Sequence, residues 1–152
     1  MTSTGVRNNN PFNVKKPGSD VWVGTVAYDE RGHVIFSDPA YGVRAVLRDL
    51  MNKEKAGLKC LYDIFERYAP ISDTQGSIQG RPANDPQGYA EYVAGKMGVA
   101  PSETLDLFEG SNPTDWPKLC KMLKAMGRME NGSLWVIDND VLNRGLIYFL
   151  TI

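Results

Sequence analysis

Three strings, "SDPAYG", "NDPQGY" and "SNPTDW", limit what this chain can fold into. Proline is tolerated in the first turn of a helix, where its missing N–H would have no partner anyway, and Ser, Asp, Asn or Thr just before it caps the free N–H groups. The first two strings put Pro39 and Pro86 at a first helical position, and the third is a break ahead of a cap at Thr114 or Asp115. Long continuous helices are therefore excluded, and each restart is fixed in sequence. Behind the first start, Val43, Val46, Leu47, Leu50 and Met51 keep helical spacing through "SDPAYGVRAVLRDLMNK". Behind the second, Tyr89, Tyr92, Val93 and Met97 do so until Gly98 stops the run. Behind the third, Leu119, Met122, Leu123, Met126 and Met129 fall at steps of three and four. A further apolar face, Leu58, Leu61, Ile64, Phe65 and Tyr68, runs through "LKCLYDIFERYA" to Pro70, and "DNDVLNRGLIYFLTI" starts on a cap signal and ends apolar.

The remainder reads as turns and one hairpin. "RNNNPFNVKKPGSD" is rich in Asn, Pro and Gly, which favour turns. "VWVGTVAY" and "HVIFS" are β-branched and aromatic runs joined by "DERG", with Gly32 at the turn and Asp29 and Glu30 at its tip. "SETLDLF" is a short turn, and "ISDTQGSIQGRPAN" is a polar loop long enough to be either mobile or functional. The expected fold is mainly α (α+β), with one small β-hairpin. Its 152 residues suit a single domain, with residues 1–12 as a flexible N-terminal arm.

Composition removes several functions. A net charge of −1 and a pI near 5.8 leave no basic stripe to neutralise phosphates, so nucleic acid is not an expected partner. No segment has the pattern of a signal peptide or the length of a membrane span. Cys60 and Cys120 lack CxxC spacing and sit in helical patterns as buried thiols, so neither metal nor other cofactor is expected. His33, the only histidine, lies in a strand pattern, a poor place for the base of a nucleophilic dyad.

One residue contradicts its local context. "KMLKAMGRMENG" ends a helix on Glu130, where unpaired carbonyls carry about half a negative charge and a basic residue is the favoured choice. Asn131 and Gly132 close the helix behind it. The helix end and the adjacent methionines both favour the protonated acid, so the expected pKa shift is upward. A glutamic acid that keeps its proton can act as the general acid that glycoside cleavage requires. The plainer reading is a solvated helix-end residue bonded to Arg128 or a nearby lysine.

The segments "RNNNPFNV", "VWVGT", "HVIFSDPAYGVRAVLRDL", "FERYAP", "YVAGKMGVAPSETLDL" and "LKAMGRMENG" are similar to a group of phage-encoded proteins that begin "RNNNPGNI" and continue through Trp-x-Gly and a helix opened by Gly-x-Arg-Ala. The likeness runs from about Arg7 to Gly132, with Phe12 in place of the group's glycine and a longer loop after Pro70. The same order of features resembles the lysozyme-like glucosaminidases that open the cell wall for flagellar rods. In those, a helix ending in the catalytic glutamate precedes the Asn-rich segment. Here that segment comes first, which implies a circular permutation with Lys118–Met129 and Glu130 as the displaced helix. The resemblance implies a lysozyme-like domain and a peptidoglycan glycosidase or lytic transglycosylase carried in a phage particle. It would be made in the host cytoplasm and act on glycan strands at the wall or periplasm, with other virion proteins as partners. Glu130 would be the acid, and Asp29 or Glu30 a second carboxylate if one is used. Asn8, Asn9, Asn10, Trp22, Tyr28 and Tyr89 would line the glycan cleft. The rival expectation is a non-catalytic tail or baseplate component with the same fold.

Overall fold

Each capped start becomes a helix in the computed structural model, which describes residues 2–70 and 85–152. The helices are α1 (Thr4–Arg7), α2 (Pro39–Lys55), α3 (Leu61–Tyr68), α4 (Pro86–Met97), α5 (Trp116–Asn131) and α6 (Asn139–Thr151). The strands are β1 (Thr25–Tyr28), β2 (Val34–Phe36), β3 (Phe108–Glu109) and β4 (Asn112–Pro113). The fold is mainly α, with two small antiparallel two-stranded sheets, β1 with β2 and β3 with β4. Aspartate caps α2, α4, α5 and α6: Asp38, Asp85, Asp115 and Asp138 accept the backbone N–H of Ala40, Gly88, Lys118 and Asp140. The long polar loop of residues 71–84 lies outside the described residues.

Three local departures have physical causes. Ser3 accepts the N–H of Val6 and so starts α1 within residues 1–12, the stretch expected as a flexible arm. β1 begins at Thr25 rather than Val21, because Trp22 to Thr25 makes a turn through Gly24, whose backbone lies against the ring of Tyr41. The β3–β4 pair, with Gly110 at φ +61° between its strands, was not expected; strands this short leave no period to read.

The described chain divides into two compact units, Met1–Leu50 with Met126–Ile152, and Met51–Ala125. In the first, Phe12, Val34, Phe36, Val43, Val46, Leu47 and Met126 are buried. Tyr41 stacks on Tyr148 at 4.9 Å, and Arg144 spans Asp38 and Asp140 with bonds of 3.0 Å. The second unit buries Leu61, Ile64, Phe65, Val93, Leu119, Met122 and Leu123. Glu54 there receives the backbone N–H groups of Leu107 and Phe108, which holds the chain leading into β3.

Candidate functional site

The Asn-rich segment reaches a particular shape because asparagine tolerates left-handed backbone and supplies both donors and acceptors. Asn9 and Asn13 have φ of +52° and +51°. Asn13, rather than the position of Phe12, takes the left-handed turn, which leaves Phe12 free to enter the core at 0% exposure. Asn10 is fully buried: its Nδ2 donates to the carbonyls of Val14 and Val34, and its Oδ1 accepts the Val14 N–H. Asn9 donates to the carbonyl of Phe36, and Asn8 donates to Asp29 at 3.0 Å. The three side chains expected in a glycan cleft are thus engaged with β2 and its turn. Gly42 makes this packing possible, since a Cβ there would lie 2.9 Å from the Asn9 carbonyl.

Asp29 organises the hairpin tip. Its Oδ1 accepts the N–H groups of Arg31 and His33, and its Oδ2 bonds Asn8 Nδ2 and His33 Nδ1. Four partners occupy the lone-pair directions of both oxygens. Burial alone would raise the pKa, but these bonds, led by the His33 N–H, outweigh it and hold the carboxyl at about 2. The carboxylate is therefore ionised, and both of its oxygens are engaged. Glu30, next to it, is exposed and carries the free acid of the hairpin.

Glu130 stands in the last turn of α5, half-buried, and its Oε1 accepts Asn13 Nδ2 at 3.0 Å. Its neighbour Asn131 is held from three directions. Asn131 Nδ2 donates to the carbonyls of Pro11 and Gly127, and its Oδ1 accepts the Ser3 hydroxyl at 2.6 Å. The end of α5 is thereby fastened to the Asn-rich segment. The methionine stripe does not shelter Glu130 as expected: Met129 is 40% exposed, and burial of the stripe ends at Met126.

Beside the hairpin tip is a cavity of about 560 Å³ lined by Thr4, Arg7, Asn8, Tyr28, Asp29, Glu30 and Arg31. Tyr28 is 40% exposed there, with Lys16 Nζ 5.7 Å from the ring centre. The cavity gathers Asn8, Tyr28, Asp29 and Glu30 from the expected set; Glu130 is not among its lining residues. Trp22 lies near the start of the hairpin, its indole N–H bonded to the Lys15 carbonyl at 2.7 Å. Tyr89 belongs to the second unit, 4% exposed and stacked on Phe65 at 4.2 Å. Cys60 and Cys120, also there, are free and half-buried, and burial pushes the Cys120 thiol pKa up.

Sequence reading overlooked Asn13, Asn131, Arg7 and Arg31. Asn13 and Asn131 were visible only as turn and helix-end residues, since their role depends on contacts more than a hundred positions away. Arg44, in the Gly-x-Arg-Ala helix start, is 6% exposed; its Nε has no hydrogen-bond partner, and burial, aided by Arg48 nearby, lowers its pKa. Among the described residues no three His, Cys, Asp or Glu side chains converge as metal ligands, and no helix is long and apolar enough to cross a membrane.

No protein-family model matches the chain. Over 134 residues, 85% of this chain, it is 34% identical to Protein P5 of Pseudoalteromonas phage PM2, and the match covers 71% of that protein.

Proposed function

The chain belongs to the family of Protein P5 of Pseudoalteromonas phage PM2, and on that premise we propose that it acts in a phage particle as a peptidoglycan-cleaving enzyme with Glu130 as its general acid. The observation that carries this reading is the bond from Asn13 to Glu130, which joins residues 117 positions apart. In the glucosaminidases that the sequence resembles, the glutamate helix directly precedes the Asn-rich segment. Here the two are distant in the chain and in hydrogen-bond contact in space, the arrangement a circular permutation of a lysozyme-like domain requires. A general acid must be held in one orientation, and the Asn13 amide on Oε1 fixes the direction in which the Glu130 carboxyl points. Of the two hairpin acids, Glu30 is the one able to serve as a second carboxylate, because the oxygens of Asp29 are already bonded.

Purified cell walls provide the test. Wild type should clear them, and Glu130→Gln should lose clearing by about 100-fold or more while unfolding at the same temperature. Equal clearing by both, or none by either, removes the catalytic reading.

A second reading is a non-catalytic tail or baseplate part. It is favoured by the apolar side chains exposed near the C-terminal end, Ile147 at 55%, Leu150 at 49% and Ile152 at 51%, which a neighbouring virion protein would cover. In that case wild type clears no walls, and polar substitutions at these three positions impair incorporation into particles.

A further inference from the structure

Resting on that reading, we propose that the cavity beside the hairpin tip binds the peptide stem of peptidoglycan, with Arg7 and Arg31 taking stem carboxylates and Glu30 a stem ammonium. The two guanidinium groups come from separate elements, one from α1 and one from the β1–β2 turn, and both line the same cavity of about 560 Å³. Neither has a carboxylate partner among the described residues: Arg7 donates only to the Thr4 hydroxyl at 3.2 Å, and Arg31 uses its backbone N–H on Asp29. Asp29, ionised, lies in the same lining with its oxygens engaged by Asn8, His33 and the Arg31 backbone N–H, so it offers charge but no open acceptor. What the cavity offers a ligand is therefore two guanidinium groups, two carboxylates of which Glu30 is the exposed one, and the ring of Tyr28.

The hydroxyl and N-acetyl groups of the sugars are uncharged, and in the intact polymer the lactyl carboxyl is tied up as the amide to the stem, so the glycan part alone gives two guanidinium groups no anion. The stem carries several carboxylates and, where it contains a diamino acid, an ammonium, so it brings an opposite charge for each of Arg7, Arg31 and Glu30. The position also fits. α1 is a single turn: its cap Ser3 bonds Asn131, next to Glu130, while Thr4 and Arg7 line the cavity. The same short helix thus links the end of α5, which carries the proposed acid, to a site for the substituent that hangs from the sugars.

Glu130→Gln protein keeps the cavity intact and serves for calorimetric titration with two probes, a disaccharide bearing its peptide stem and the same disaccharide stripped of it, with the lactyl carboxyl capped as a simple amide. We expect the stem-bearing probe to bind at least about 10-fold more tightly. Arg7→Ala with Arg31→Ala should abolish that difference while leaving the stripped probe and the unfolding temperature unchanged. Equal affinity for both probes, an unchanged preference in the double variant, or no binding of the stem-bearing probe overturns the proposal. Inorganic phosphate that binds as tightly as the stem would mark a general anion site and overturn it too. Binding is read without turnover, so a Glu130 that proves inert in wall clearing leaves this result standing on its own.

Discussion

The two units are held by different chemistry. In Met51–Ala125 the buried side chains are almost all apolar or aromatic, as in the Phe65, Tyr68 and Tyr89 cluster, where ring centres lie 4.2 to 6.4 Å apart. In Met1–Leu50 with Met126–Ile152 an apolar core is joined by buried or half-buried polar groups: Asn8, Asn10, Asp29 and Asn131, each tied to backbone or to another polar side chain, and Arg44, whose Nε has no partner. Apolar contact tolerates adjustment, because it is non-directional. A buried amide does not, because every group it leaves unpaired carries a desolvation penalty. The polar unit is therefore the one that fixes directions, and it is where all proposed chemistry lies.

Asn10 gives the largest effect. Asn10→Ala strands the Val34 and Val14 carbonyls and the Val14 N–H, and should cost about 3 kcal/mol in denaturant unfolding. Should the loss stay under about 1 kcal/mol, the asparagine bonds would be replaceable by water, and the contrast between the units would fail.

This contrast also explains what could be read in the sequence. The helices of both units followed from apolar period and Asp-Pro starts, because those signals are local and the buried faces of α2 to α5 repeat them. The Asn-rich run declared itself only as turn-prone. Nothing local distinguishes Asn10, whose amide is spent inside the protein, from a residue displayed to a substrate, because the choice depends on Val34, twenty-four positions on. Asp29 and Glu30 likewise look alike in "DERG", and only the positions of Asn8 and His33 separate the committed acid from the free one. Glu130 drew attention because it broke a helix-end rule, although the shelter expected from Met129 is absent.

Asp29 ranks next and sharpens the comparison through pH. Its carboxyl is held at about 2 against an ordinary 3.8, so the folded state releases this proton more readily than the unfolded chain. The stabilisation is fully present above pH 4 and is lost as pH falls through the interval from 3.8 to about 2, on the order of 2 kcal/mol in all. Unfolding free energy measured between pH 5 and 2 should fall more steeply in wild type than in Asp29→Asn, which lacks the titrating group. Parallel curves would mean that the hairpin tip opens before the carboxyl protonates and that its four bonds contribute little.

The smallest effect has the opposite sign. Arg44 places a guanidinium at 6% exposure on α2, with its Nε unpaired, and with Arg48 close enough to lower its pKa along with burial. A buried charge gains from its surroundings only when partners offset desolvation, and apolar replacements of similar length at such sites are commonly neutral or stabilising. Arg44→Met keeps the length of the side chain and removes both the unmet donor and the repulsion from Arg48. It should raise unfolding free energy by about 1 kcal/mol, read from denaturant midpoints at pH 7. The same substitution separates two roles for the Gly-x-Arg-Ala start. If the arginine only fills space, wall clearing survives the gain in stability; if clearing falls while stability rises, Arg44 is held at a folding cost because the site requires its charge. A loss of stability would mean that Arg44 satisfies its surroundings better than its unpaired Nε suggests, and that the polar unit contains no group at odds with its setting.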